Sequence, residues 1–194
     1  RPVGSITEMS SFSFHPVKHV AAGEGGAVTT DDPELAARVR RFRAHGIDSD
    51  PHTRASAGDW FYEMTDLGMN YRVSDLACAL AHSQLERLSE NLERRRSIAS
   101  RYARELGGLA EIRLPTVRPG AEPAWHIYPI RLCPKRLTAD RREIFRALRA
   151  EGLGVNVHYI PVHLHPYYRE RLGTQPGTFP VAEEAYEHLI TLPL

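Results

Sequence analysis

Ser13-Phe14-His15-Pro16-Val17-Lys18, continued by Gly23-Glu24-Gly25-Gly26, is the stretch on which the reading of this 194-residue sequence turns. Phe12 and Phe14 alternate with Ser11 and Ser13, a period-two pattern that predicts a short strand. Pro16 fixes its own φ and pushes His15 out of the helical region, so the strand ends just short of Lys18. The small residues from Ala21 to Gly26 let the backbone turn closely around a ligand before Gly26 to Thr30 resumes as a strand. A lysine pinned between a proline turn and a glycine turn is held in place. Held lysines lose hydration, their pKa falls, and a neutral amine can then form a Schiff base with a carbonyl. A lone loop lysine is by default a solvated surface charge, so the reading leans on the segments that accompany it.

Two such segments stand out. In Gly68-Met69-Asn70-Tyr71-Arg72-Val73-Ser74-Asp75, a turn delivers polar side chains just before Ser74 caps a long helix, and a helix N-terminus favours anions. On residues alone, Asn70 and Arg72 read equally well as turn and cap residues. The other segment, His158-Tyr159-Ile160-Pro161-Val162-His163-Leu164-His165-Pro166-Tyr167-Tyr168, is dense in imidazole and phenol groups. Three histidines invite a zinc reading, but no cysteine or carboxylate is close in sequence and two prolines break the spacing of a metal-binding helix. Tyr167 and Tyr168 read equally well as packing.

With 42% hydrophobic residues the chain can bury one good core or two small ones, which argues against disorder and against a miniature disulfide scaffold. Twenty-five basic and 24 acidic side chains leave a formal charge of +1 with the signs mixed, a pattern that does not call for nucleic acid. Cys78 and Cys133 fall in apolar-looking elements and read as reduced, buried thiols of a cytoplasmic protein. No apolar run approaches the length of a membrane span. Gly23-Glu24-Gly25-Gly26 lacks the spacing and setting of a dinucleotide fingerprint.

Further along, Asp31 or Asp32 is placed to cap a helix with Pro33 in its first turn and Leu35, Val39 and Phe42 on one face. The polar stretch 46–66 reads as a loop. Leu76, Leu80, Leu88, Leu92, Ala99, Tyr102 and Leu106 mark one long helix or two nearly collinear ones, ending at Gly107 and Gly108. Strands are predicted over Ile112 to Leu114, Trp125 to Leu132 and Val155 to Tyr159, with a helix from Ala139 to Glu151 capped by Thr138. A short helix around Val181 to His188 precedes an apolar tail, Leu189 to Leu194, that something must tie down.

The string from Ser13 to Gly26, with the Gly68 and His158 segments, resembles the DegT/DnrJ/EryC1/StrS sugar aminotransferases. These are pyridoxal-phosphate (PLP) enzymes of the aspartate-aminotransferase fold, fold type I. Within the family, His15-Pro16-Val17-Lys18-His19 most resembles the enzymes that aminate C4 of a UDP-linked 4-keto-6-deoxy-N-acetylhexosamine on the way to pseudaminic acid. The resemblance implies an α/β architecture: residues 1–73 as the end of the large PLP-binding domain, 74–108 as connecting helix, and 109–194 as a small C-terminal α/β domain. It implies that the chain, which starts at Arg1 without a methionine, covers about the second half of a family member and is inactive by itself. Lys18 then becomes the cofactor lysine, and Ser13 and Asn70 become phosphate contacts, Asn70 from across a homodimer with shared sites. Arg72, His158, Tyr159 and His163 become nucleotide-sugar contacts, and glutamate the amino donor. Relatives that use PLP to dehydrate a sugar carry histidine where Lys18 stands. The remaining alternative is a non-catalytic fragment with an incomplete cofactor site.

Overall fold

The structure, a computed structural model, describes residues 1–48 and 55–194. The described chain forms two compact units, Arg1–Ser89 and Glu90–Leu194.

The first unit begins with an antiparallel pair, β1 (Ser10–Ser13) and β2 (Gly26–Thr29), in which Phe12 faces Ala27 and Ser13 faces Gly26. As predicted, β1 stops short of Lys18. A Cβ on Gly26 would come within 2.5 Å of the Phe12 carbonyl oxygen, so the register needs glycine there. Helix α1 (Pro33–Phe42) starts at Asp32, whose Oδ1 accepts from the N–H groups of Glu34 and Leu35 at 2.8 and 3.1 Å. The expected loop 46–66 includes residues 49–54, which lie outside the described residues. Its flanks are not plain loop: β3 (Ile47–Asp48) pairs antiparallel with β4 (Glu63–Met64). Chain pairing there overrides a polar composition that carries no strand periodicity.

Ser74 accepts from the Ala77 N–H at 3.3 Å and opens helix α2 (Asp75–Glu86); after Arg87, helix α3 runs from Leu88 to Leu106. The heptad-like spacing is therefore carried by two helices. Cys78, expected to be buried, is exposed on α2, and Cys133 is half-buried; both are free thiols. Helical spacing shows which residues share a face, and it leaves open whether that face is covered.

The second unit is built on a three-stranded antiparallel sheet in the order β5 (Ile112–Arg113), β6 (Tyr128–Leu132), β7 (Leu189–Leu192). Tyr128, Ile130 and Leu132 alternate inward along β6 and meet Leu192 and Ile190 of β7 together with Val155 and Ala99 of α3. The apolar tail is tied down as expected, as strand β7, and Ile190 is 0% exposed. Two expectations are corrected here. Val155 to Tyr159, expected as a strand, forms only a single bridge between Asn156 and Thr191. Val155 is fully buried, yet beyond Asn156 the chain departs from β7, which the two-residue alternation cannot foretell. Strand β6 starts three residues later than predicted, because Trp125 takes a left-handed φ of 49° that breaks the extended chain. Pro129 is tolerated within β6 because the short β5 pairs only with Arg131 and Leu132 and asks nothing of position 129.

Helix α4 (Arg141–Ala150) is capped by Asp140, not Thr138. Asp140 Oδ1 accepts from the Glu143 N–H at 2.8 Å and Glu143 Oε2 accepts from the Asp140 N–H at 2.9 Å, a reciprocal pair unavailable to Thr138. Helices α5 (Pro166–Leu172) and α6 (Pro180–His188) follow, the latter leading directly into β7. Among the described residues no helix is long and apolar enough to cross a membrane.

Candidate active site

Between β1 and β2 the chain folds back on itself. The Phe14 N–H donates to the Gly25 carbonyl and the Ala22 N–H to the Phe14 carbonyl, both at 2.9 Å, closing the loop 14–25 at its neck. Inside it, the Lys18 N–H donates to the His15 carbonyl at 2.8 Å, which is the turn that Pro16 calls for. Lys18 is half-buried within that turn. Ser13 lies at the end of β1, and its Oγ accepts from the His15 N–H at 3.3 Å. The hydroxyl proton remains available to another acceptor.

The second predicted segment is anchored by a backbone clip. The Met69 N–H donates to Phe42 O at 2.7 Å, His45 N–H to Met69 O at 3.0 Å, and Tyr71 N–H to Arg43 O at 2.9 Å, so Asn70 and Arg72 are set by the end of α1. A Cβ on Gly68 would lie 2.0 Å from the Gly46 nitrogen, and one on Gly46 1.7 Å from the Asp66 carbonyl oxygen. Only two glycines allow the strands of chain to approach this closely. The two segments meet where Val73 packs on Gly25, a contact of 3.4 Å for a Cβ at that position. Around this meeting lies a cleft of about 630 Å³ lined by Ala22, Glu24, Gly25, Gly26, Tyr71, Arg72, Val73, Ser74 and Ala77. Arg72 is thus on the cleft, with the N-terminus of α2 beside it. Ser13, Lys18 and Asn70 belong to the elements that frame it and are not part of its lining.

In the second unit, the segment from Asn156 to His165 is fastened at two places. Asn156 exchanges backbone bonds with Thr191 of β7 at 2.7 and 3.1 Å, and His158 Nδ1 lies 2.9 Å from Thr191 Oγ1. Further on, His163 Nε2 donates to Glu183 Oε1 of α6 at 2.8 Å, with the ring edge-on to Phe179 at 4.8 Å. The Glu183 carboxylate also accepts from the Gly177 and Phe179 N–H groups at 2.7 and 3.1 Å. The Gly177 N–H foremost, then His163, hold this carboxyl below its ordinary value of 4.5. Tyr159, by contrast, is 70% exposed. Among the described residues no group of three metal-ligating side chains converges.

Glu183 and Thr191 are the residues that sequence reading passes over. The one hint for Glu183 is that it is a carboxylate four residues after the helix start at Phe179, one beyond the capping-box spacing, from where it accepts the Phe179 N–H. Thr191, a polar residue in an apolar tail, gives no comparable notice.

The chain is similar to known sugar aminotransferases. The chain is 38% identical over 173 residues to the UDP-4-amino-4,6-dideoxy-N-acetyl-β-L-altrosamine transaminase of Campylobacter jejuni, covering 89% of this chain and 44% of that protein. It superposes on PseC of Helicobacter pylori, an aminotransferase involved in the biosynthesis of pseudaminic acid, with a TM-score of 0.86 and 29% identity, covering 100% of this chain and 49% of PseC. It superposes also on Spr1654 of Streptococcus pneumoniae in its PMP form, with a TM-score of 0.87 and 31% identity, covering 100% of this chain and 49% of that one. The chain spans about half the length of the curated relatives it matches. Its α/β architecture is that of fold type I. Because the family pattern matches residues 1–194, and the lysine loop, the Asn70 clip and the pinned histidine segment all fall within that match, the chain belongs to the DegT/DnrJ/EryC1/StrS aminotransferase family.

Proposed function

We propose that this chain serves a PLP-dependent aminotransferase that moves an amino group from glutamate to a nucleotide-linked 4-keto-6-deoxy sugar. The observation that carries the proposal is Lys18, half-buried in a hydrogen-bonded turn whose loop frames a cleft beside a helix N-terminus. Pyridoxal phosphate is the cofactor of the family, and the residues present fit it: a primary amine on a fixed turn, a hydroxyl at the adjoining strand end, and a glycine-walled cleft. When bound, that group supplies an electron sink for a carbanion at the donor Cα.

Lys18 would hold the cofactor and, once displaced by the donor, carry the proton away from the donor Cα through Nζ. Ser13 Oγ would donate to the phosphate. Asn70 would reach the phosphate, and Arg72 the sugar nucleotide, in the site of a second copy, making the enzyme a homodimer with shared sites. His158 and Tyr159 are proposed to meet the nucleotide sugar, with residues 1–73 completing the large domain, 74–108 connecting, and 109–194 forming the small domain. We place this enzyme in the cytoplasm. The resemblance of the altrosamine transaminase and PseC supports a UDP-linked sugar of pseudaminic acid synthesis as substrate.

The test is borohydride reduction of the PLP-loaded whole protein followed by peptide mapping. The pyridoxyl mass is expected on Lys18; the chain holds one other lysine, Lys135, and a label there instead would refute the assignment.

A further inference from the structure

The segment 156–165 is a short span tied down at both ends, and its two ties lie on consecutive elements. Thr191 of β7 holds the Asn156 backbone and the His158 ring; Glu183 of α6 holds the His163 ring. Between the ties, Tyr159, Ile160 and Val162 stand exposed. The His163 side chain is 10% exposed and Glu183 19%, so the His163 tie is largely shielded from water.

The geometry commits one of the two ring nitrogens of His163 within the fold. An ionised carboxylate only accepts, so the Nε2 proton is committed to Glu183. The ring edge rests on Phe179, and the His163 carbonyl accepts from Thr174 Oγ1 at 2.8 Å. Glu183 in turn is fixed by the Gly177 and Phe179 N–H groups, which are themselves set by the start of α6. Backbone, carboxylate, imidazole and segment therefore form one chain of contacts, each limiting the freedom of the next.

We infer that His163 and Glu183 form a latch that fixes the height and direction of the span carrying His158 and Tyr159, so that His163 acts as a positioning residue for nucleotide-sugar recognition and not as a contact. This rests on the proposed function, which makes His158 and Tyr159 the ligand-facing residues. It assigns Glu183 a task beyond accepting from the Gly177 and Phe179 N–H groups at the start of α6. A span of four residues between two fixed points can place a tyrosine to within a fraction of an ångström; cut at one end, it swings about the other. Misplacement of about 1 Å costs on the order of a hundredfold in a well-ordered site and less where only binding is read.

The experiment uses the PLP-loaded whole protein with His163→Ala, His163→Gln and Glu183→Ala. The probe is UDP-4-amino-4,6-dideoxy-N-acetyl-β-L-altrosamine, titrated calorimetrically into the protein after its cofactor has been converted to the pyridoxamine form, which cannot take up the probe's amino group, and the glutamate half-reaction of the PLP form, followed by cofactor absorbance, serves as the control for fold and cofactor. We expect the probe's Kd to rise on the order of tenfold in His163→Ala and Glu183→Ala, with the glutamate half-reaction within about twofold of wild type. His163→Gln, whose amide can still donate to Glu183, recovers most of the loss. Unchanged binding in His163→Ala overturns the latch. Equal impairment in His163→Gln and His163→Ala overturns it too, since it makes the imidazole a direct contact. Should the alanine variants fail to fold, nitrogen-15 NMR of the wild-type protein decides: the His163 Nε2 proton must exchange slowly, and a rapidly exchanging one refutes the tie to Glu183. Failure of the wild-type protein to bind the probe at all would instead overturn the proposed substrate and leave the latch to the NMR result.

Discussion

Replacing Ile190 by Ala removes three carbons from a side chain that is 0% exposed and faces Ile130 across the β6–β7 pair. At about 0.8 kcal/mol per buried carbon the transfer loss is about 2.4 kcal/mol, and the cavity left among Ile130, Tyr128 and Val155 raises the total to about 3–4 kcal/mol. With a urea dependence of about 2 kcal/mol/M, the midpoint of the second unit should fall by about 1.5–2 M. The assay is urea unfolding followed by the fluorescence of Trp125, whose ring lies 5.1 Å from that of Tyr128 in the same core, in a Trp60→Phe background that silences the first unit. Val181→Ala, at a position 81% exposed, is the control and should stay within about 0.5 kcal/mol of wild type. An Ile190→Ala midpoint indistinguishable from the control would refute the docking of the tail as a strand.

Asp140→Ala should cost about 1 kcal/mol by opening the reciprocal cap of α4, while Thr138→Ala stays within about 0.5 kcal/mol, both read from the same urea curves. Glu183, with its folded pKa held below its ordinary value, binds fewer protons than in the unfolded chain, so its contribution is complete above the ordinary carboxylate pKa and is lost as pH falls through the lowered folded value. A Glu183→Gln variant should therefore show a flatter decline of the urea midpoint between neutral pH and the acid range; parallel profiles would refute this. Mixing whole Lys18→Ala subunits with Arg72→Ala subunits in equal amounts should recover about a quarter of wild-type activity, since half the dimers are mixed and each holds one intact site. Zero recovery under demonstrated subunit exchange would put both residues in one chain's site.

Local chemistry was legible wherever neighbours in sequence are neighbours in space. The turn before Lys18, the Asp32 and Ser74 caps, and the glycine-bearing loop after the lysine all follow from φ restriction and short-range hydrogen bonding. At α4 the cap is Asp140 and not Thr138, and the Asp140-to-Glu143 spacing carries that signal in the sequence.

What the residues alone determined, then, is a lysine on a proline turn, a polar helix start at Asn70 to Ser74, and a histidine-rich span, together with the resemblance that these three carry. Only the tertiary structure decided that Gly46 and Gly68 clip the Asn70 segment to α1, that the tail is the third strand where Val155 to Tyr159 is not, and that His163 belongs to Glu183. The reason is the range of the forces involved. A proline's φ or a cap's hydrogen bond is set within a few residues, whereas β6 takes as its neighbour the tail at 189–192, far along the chain, and leaves the nearer stretch 155–159 a single bridge to β7, an outcome that period-two patterning, the same in both stretches, does not decide.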